Sequence, residues 1–476
     1  MLMTGWNWFV PRPWALLLAS GLLIGSSSLA EEAAKDASMS EASKAAKAGA
    51  PTATTTAENY ELLRLFADTL DQVERNYVKD IDRRELMEAA IQGMMAKLDQ
   101  HSNYISPKEL ERFRSSVENE FGGVGITVSM ENGVLTIVTP LFGTPAYKAG
   151  IRGGDQILEI EGQPTASTTI DDAVQRMKGK IGTRVKLTIK HAADERVETL
   201  EIGRELIRVD TVLGDRRKAD DTWDFFLDRD KKLGYIRVTN FGRHTADDLR
   251  TALGELTREG LRGLVLDLRN NPGGLLATGI EVCDLFIESG RIVSTSGRNA
   301  PERVWDAKQE GTFTGFPMVV LVNRYSASAS EIVAACLQDH KRAVVIGERT
   351  WGKGSVQNIV ELEDGKSALK LTTAGYLRPS GKNIHRFDGV KENDDWGVQP
   401  DDGFEVKLTP EEFSNLATDR RRRDAIVAVK PMSEAGNKDV VVDRQLEKAV
   451  EYLQKQLESP SDKSAEQASD GKESGN

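Results

Sequence analysis

Hydrophobic and polar positions alternate along the chain in three registers. From Tyr60 the spacing is helical: Leu62, Leu63, Leu65, Phe66, Leu70 and Val73 make one apolar face. A second helix is predicted over 84–98 and a shorter one over 107–115. Between 119 and 205 the runs shorten and alternate. Strands are predicted at 125–130, 133–138, 155–160 and 184–190, with one helix at 169–177. From Leu206 apolar runs alternate with helical patterns. Strands are predicted at 233–238, 261–268, 318–322, 343–346 and 355–362, and helices at 245–256 and 278–287. Short β segments are expected at 368–377 and 384–400. A late amphipathic helix, 439–457, carries Val442, Leu446, Val450, Leu453 and Leu457 on one stripe, which needs a partner in this chain or another.

The most informative stretch runs from Leu321 to Gln357. A β-branched strand leads into Ser326-Ala327-Ser328-Ala329-Ser330, and a helical pattern follows from Glu331. Strand, small turn and helix place a hydroxyl beside the open N–H groups of a helix start, which can stabilise a developing oxyanion. A serine N-cap at Ser330 gives the same pattern with no chemistry at all. After the strand at 343–346 comes Gly352-Lys353-Gly354. Gln357 shares strand parity with Lys353, but four residues span about 13 Å when extended. The two side chains meet one centre only if the chain bends near Gly354. A second glycine turn, Pro272-Gly273-Gly274, ends the strand at 261–268 and opens further N–H groups.

These segments are similar to the core of the carboxyl-terminal processing peptidases, a family of tail-specific serine proteases with a Ser-Lys dyad. The S-A-S-A-S-E and G-K-G-x-V-Q pieces stand in the family's order and spacing, as does Gly397-Val398-Gln399-Pro400-Asp401. The resemblance covers roughly 58–405. It implies Ser328 as nucleophile, Lys353 as general base and Gln357 as the group that positions the lysine. It implies an oxyanion hole from the Ala329 N–H and that of Gly274 or Gly273. It implies a multidomain α+β protein, with a crotonase/ClpP-like α/β protease core, an inserted PDZ domain, and helical segments at both ends. Residues 119–205 resemble a PDZ domain through the Gly123-Val124-Gly125-Ile126 loop, the Pro145–Ile151 stretch and Gly154-Asp155. That likeness implies capture of a C-terminal peptide by strand addition, with its carboxylate on the glycine loop.

The chemistry demands these residue types. A lysine is a base only when neutral, and at pH 7 about one unperturbed lysine in 2,500 is. Burial must lower its pKa, and Trp351 is the neighbour expected to exclude water. Gln357 can orient the amine without stabilising its charge, as an aspartate would.

Composition narrows the alternatives. The net charge of −11 argues against nucleic-acid or anionic-membrane binding. Cys283 and Cys336 lie in helical patterns and read as buried thiols, and the five histidines are scattered, so no zinc site and no cofactor is expected. Arg12 precedes seventeen uncharged residues, Trp14 to Ala30, with Ser28-Leu29-Ala30 as a small-residue cleavage site. The apolar part is too short to span a membrane. The expected order is a signal peptide at 1–30, a linker at 31–57 and a helical domain at 58–118, which acts as a lid or a dimerisation arm. The PDZ domain at 119–205 and the protease core at 206–405 follow. A helical, dimerising region at 406–457 and a polar tail at 458–476 complete it. The expected location is periplasmic, and the expected partners are proteins with exposed C-termini. A homo-oligomer and a helical-repeat adaptor protein, as in relatives, are expected too. Two rival readings are a catalytically silent PDZ scaffold and a crotonase-like acyl-CoA enzyme. The intact Ser328-Lys353-Gln357 set counts against the first and the export signal against the second.

Overall fold

The computed structural model describes residues 56–387, 389–427 and 441–458. The expected signal peptide, almost all of the linker, the polar tail and the first two residues of the late helix lie outside them. The protein is a multidomain α+β chain that forms two compact units.

The larger unit holds a mainly parallel sheet. Its sheet runs Val212–Leu213, Leu233–Val238, Gly263–Asp267, Met318–Val322, Val344–Gly347, and the last four strands are parallel. Parallel sheets need cover on both faces. Helices Thr245–Arg258, Leu276–Asp284 and Ala329–Asp339 pack on one face, in a core that includes Leu253, Val282, Val333, Val320 and both cysteines. The other face is covered by helix Arg444–Glu458, through Ala449 and Leu453 against Tyr235, Val265, Val319 and Leu321. The late apolar stripe therefore finds its partner on its own chain. Val442, read as part of that stripe, precedes the helix and is exposed.

The same unit contains a second sheet in the order Ile126–Glu131, Val134–Pro140, Gln156–Ile160, Arg184–Lys190, Val197–Gly203. Strand alternation buries Leu135, Ile137, Ile157, Ile160, Val185, Leu187 and Ile189 in one cluster. Helix Ile170–Met177 is capped by Thr169, whose hydroxyl accepts the Asp172 N–H at 3.1 Å. Ile126–Glu131 is an edge strand. Gly123 ends the preceding strand, Glu120–Gly123, which pairs with Glu205–Arg208, so the loop itself is only Val124-Gly125. Gly125 sits at a positive φ of 81°, and a Cβ there would in addition meet Thr144 at 2.4 Å. This sheet is tied to the segment that follows helix Pro410–Asp424 by the Gly153 N–H donating to the Ile426 carbonyl at 2.8 Å, and the Ile426 N–H to the Thr139 hydroxyl at 3.0 Å.

The smaller unit joins residues of 22–110 and 358–372. It contains helices Thr56–Asn76 and Arg83–Met95, and strand Asn103–Ile105 pairs antiparallel with residues 368–370. Tyr60, Leu62, Leu63, Leu65 and Phe66 on the first helix are exposed.

Candidate active site

Successive parallel strands end along one edge of the sheet, where open α/β sheets place their binding crevices. Gly263–Asp267 runs into the glycine turn, Met318–Val322 into the serine turn, and Val344–Gly347 into the lysine loop. Asn271 fastens two of these turns. Its side-chain amide donates to the Val238 carbonyl at 2.8 Å and its side-chain oxygen accepts the Gly273 N–H at 2.8 Å. Its main-chain carbonyl accepts the Ala327 N–H at 3.0 Å and the Ser330 hydroxyl at 2.9 Å.

The three serines are sorted by these contacts. The Ser326 hydroxyl donates to the Leu268 carbonyl at 2.8 Å, and that of Ser330 to Asn271. Both serve the scaffold. Ser328 is the residue before the helix, which starts at Ala329 and not at Glu331. Ser330 lies inside the helix, so the N-cap position falls to Ser328, which forms a capping box with Glu331. The Ser328 backbone sits at φ 55°, ψ −115°, a conformation costing a non-glycine residue about 1–3 kcal/mol.

Beside it lie two N–H groups with no acceptor among the described residues, those of Ala329 and Gly274. Gly273 is different, because its N–H is held by Asn271. Of the two glycines considered for the oxyanion hole, Gly274 is thus the one with a donor to offer. Gly273 serves by absence: a Cβ on it would stand 2.8 Å from the Ser328 Cβ and 2.9 Å from the Ala329 nitrogen.

The lysine loop is locked to the serine turn by one buried carboxylate. Glu331 accepts the N–H of Ser328 at 2.8 Å and of Lys353 at 2.8 Å on one oxygen. The other oxygen accepts the Gly352 N–H and the Thr350 hydroxyl, both at 2.6 Å. Burial pushes the Glu331 carboxyl above its usual range, against these four donors. Lys353 is 1% exposed and Gln357 fully buried. The Gln357 amide nitrogen donates to the Ser355 hydroxyl at 2.8 Å. Trp351, expected to exclude water, is 48% exposed, whereas the buried Trp396 packs where a Gly352 side chain would be. Among the described residues of 384–400, the stretch that carries it, no strand forms. Sequence reasoning passed over Asn271, Glu331, Thr350, Ser355 and Trp396.

Comparison with known proteins bears on this arrangement. The profile of Peptidase family S41 matches residues 232–401, a PDZ domain profile residues 137–191, and one described as Activating protease CtpB N-terminal domain residues 17–108. A carboxy-terminal-processing protease of Bartonella bacilliformis is 40% identical over 359 residues, 74% of this chain and 77% of that one. The chain belongs to the carboxyl-terminal processing peptidases. It is a serine peptidase with a PDZ domain. A carboxyl-terminal-processing protease of Synechocystis is 36% identical over 70% of this chain and 74% of that one. Among solved structures, a photosystem II D1 C-terminal processing protease is 29% identical, with 75% of this chain and 96% of that one covered and a TM-score of 0.42.

Proposed function

We propose that this peptidase cleaves exported proteins at or near their C-terminal tails with a Ser328–Lys353 dyad. The observation that carries the reading is the sorting of the serines. The hydroxyls of Ser326 and Ser330 donate to main-chain carbonyls of the neighbouring turn, whereas Ser328 stands at the helix start on a strained turn whose backbone shares one carboxylate with the backbone of a buried lysine. Lys353 takes the Ser328 proton as the oxygen attacks the peptide carbonyl, and returns it to the leaving amine. Ala329 and Gly274 N–H groups receive the oxyanion. The buried amide of Gln357 orients the amine without adding charge.

The tail is read by strand addition to the edge strand Ile126–Glu131, with its carboxylate at the Val124-Gly125 turn. A cleaved leader at 1–30 directs the chain to the periplasm. Helix Thr56–Asn76, with its exposed apolar face, is the element through which copies of the chain associate, and assembly or a helical-repeat adaptor gates cleavage. The crotonase-like reading has no observation in its favour.

The test is a substrate trap. Purified Ser328→Ala should bind tailed substrates and cleave none; wild-type proteolysis by that variant would overturn the reading.

A further inference from the structure

Between the glycine turn, the serine turn and helix Pro410–Asp424 the larger unit holds a cavity of about 280 Å³. That is several times the roughly 30 Å³ share of one liquid water. Four arginines line it, Arg237, Arg269, Arg420 and Arg421, with two carboxylates, Asp267 and Asp424. Both carboxylates are already engaged. Asp267 accepts from Arg269 and from the Tyr235 hydroxyl, and both oxygens of Asp424 accept from Arg237 at 2.7 Å. Arg269 is saturated in turn, because its other N–H groups end on Asp443 and Gln445. Arg420 is not. It is 8% exposed, packs on the Tyr235 ring, and makes one long bond, 3.4 Å to an Asp215 oxygen that Arg423 takes at 2.8 Å. Its Nη2 and the Nε of Arg237 are buried without a partner among the described residues. Arg421 is exposed and bonds only the Ala417 carbonyl, at 3.4 Å. With Asp215 and Asp443 counted, the buried charges nearly balance; the hydrogen bonds do not. A buried donor left without an acceptor is costly, and a charged one most of all.

One wall of the cavity joins the two turns. The Asn270 N–H donates to the Asn323 side-chain oxygen at 3.0 Å, and the Asn323 amide donates back to the Asn270 side-chain oxygen at 3.0 Å. The same Asn323 oxygen accepts the Tyr325 N–H at 3.1 Å. Asn270 adjoins Asn271 in the glycine turn, and Asn323 leads into Ser326.

We propose that this cavity binds a small oxyanion, phosphate or carboxylate, on Arg237, Arg420 and Arg421, and that the bound anion stiffens the joint between the two turns. The guanidinium fork matches either anion with two parallel bonds, which chloride cannot accept in the same way. Arg421 supplies a charge with no carboxylate partner among the described residues. The anion comes from solution or is the carboxylate of a peptide product. The inference goes beyond the Ser-Lys reading and stands whether or not that reading holds.

The experiment titrates wild type, Arg420→Lys and Arg421→Gln at fixed pH with sodium phosphate, with a capped dipeptide bearing a free carboxylate, and with its amide. Ionic strength is matched with sodium chloride. Phosphate or the dipeptide acid should raise the unfolding midpoint by about 2–4 °C and slow amide exchange at Asn270. Chloride and the amide should do neither. An effect of phosphate assigns the anion to solution, and an effect of the dipeptide acid alone assigns it to product. Arg420→Lys keeps the charge and loses the fork, and each variant should weaken the response by about tenfold or more in concentration. If Arg420→Lys fails to fold, Arg421→Gln, a surface change, still decides. A phosphate effect that chloride reproduces, variants that respond as wild type does, or Asn270 exchange that no anion changes would each overturn the proposal.

Discussion

Glu331→Gln isolates the contact that joins the serine turn to the lysine loop. The carboxylate has two oxygens and four donors: the N–H groups of Ser328, Gly352 and Lys353, and the Thr350 hydroxyl. An amide keeps one oxygen. Placed toward Ser328 and Lys353, it leaves its NH2 facing Thr350 and Gly352. The Thr350 hydroxyl can rotate and accept, while still receiving the Val398 N–H at 2.7 Å. The Gly352 N–H is fixed by the backbone and loses its acceptor. One orphaned buried donor costs about 1–3 kcal/mol, and the two retained bonds weaken by about 1 kcal/mol each without the charge. The variant saves the cost of burying a charge, the term that raises this carboxyl. A net loss of about 3 kcal/mol in stability is expected. Displacing Gly352 also moves Lys353, and a shift near 1 Å in a reacting group costs about a hundredfold in rate. Urea unfolding followed by tryptophan fluorescence reads the first effect, with Trp396 at the loop as reporter. Fluorophosphonate labelling reads the second.

The pH dependence gives an independent handle. A carboxyl whose folded pKa is raised binds its proton more tightly in the folded chain than in the unfolded one. Its contribution to stability is fully present below the ordinary glutamate value and is lost as pH rises through the folded value. The ionised form alone accepts all four donors, so activity should rise over the window in which this share of stability falls. Glu331→Gln should remove that stability slope. Wild-type unfolding midpoint, labelling rate and pH slope in the variant would refute the clasp.

The remaining predictions concern chemistry, turn, fold and assembly. Lys353→Arg should be as inactive as Ser328→Ala, because arginine does not deprotonate; surviving cleavage would reduce the lysine to a positioning charge. Cleavage should persist in EDTA, and loss restored by zinc would refute a metal-free dyad. Gly273→Ala should fall by about a hundredfold or more in kcat, since its methyl would crowd the Ser328 Cβ and the Ala329 nitrogen; near-normal turnover would mean the oxyanion is held elsewhere. Burial alone would raise the Asp267 carboxyl, but the Arg269 guanidinium, together with Arg420 and the Tyr235 hydroxyl, holds it at about 2. Its stabilisation is therefore present above the ordinary aspartate value and lost as pH falls toward that figure. Asp267→Asn should cost about 3–5 kcal/mol at neutral pH and flatten acid unfolding, and an unchanged acid profile would contradict this. Phe66→Glu on the exposed helix face should convert an oligomer to a monomer in light scattering, and a wild-type monomer would sink the assembly proposal.

What the sequence disclosed and what it hid follow from the range of the interactions. The strands at 318–322 and 355–362 were legible to the residue, because β-branched runs bounded by turn residues carry their own signal. The serine turn and the glycine turn were legible as motifs. Glu331 was in plain view in the same motif, but a glutamate in the first turn of a helix is an everyday capping residue. Its other donors lie 19 to 22 positions further on, and only the fold brings them back. Asn271 hid in the same way: an asparagine before Pro-Gly-Gly reads as a turn former, while its partners are Val238 at the end of a neighbouring strand and Ser330 in the first turn of a helix. The late helix shows the limit from the other side. Periodicity gave its stripe correctly at Leu446, Val450, Leu453 and Leu457, and could not say what covers it. The answer lay in the strands themselves. Tyr235, Val265, Val319 and Leu321 are apolar at positions that face away from the three helices of the opposite layer, and a parallel sheet with one bare face is not stable. Reading both faces of those strands, rather than their mean hydropathy, would have assigned the helix to its own chain. That same reading moves the case for assembly from the end of the chain to its beginning, where the apolar face of Thr56–Asn76 is exposed.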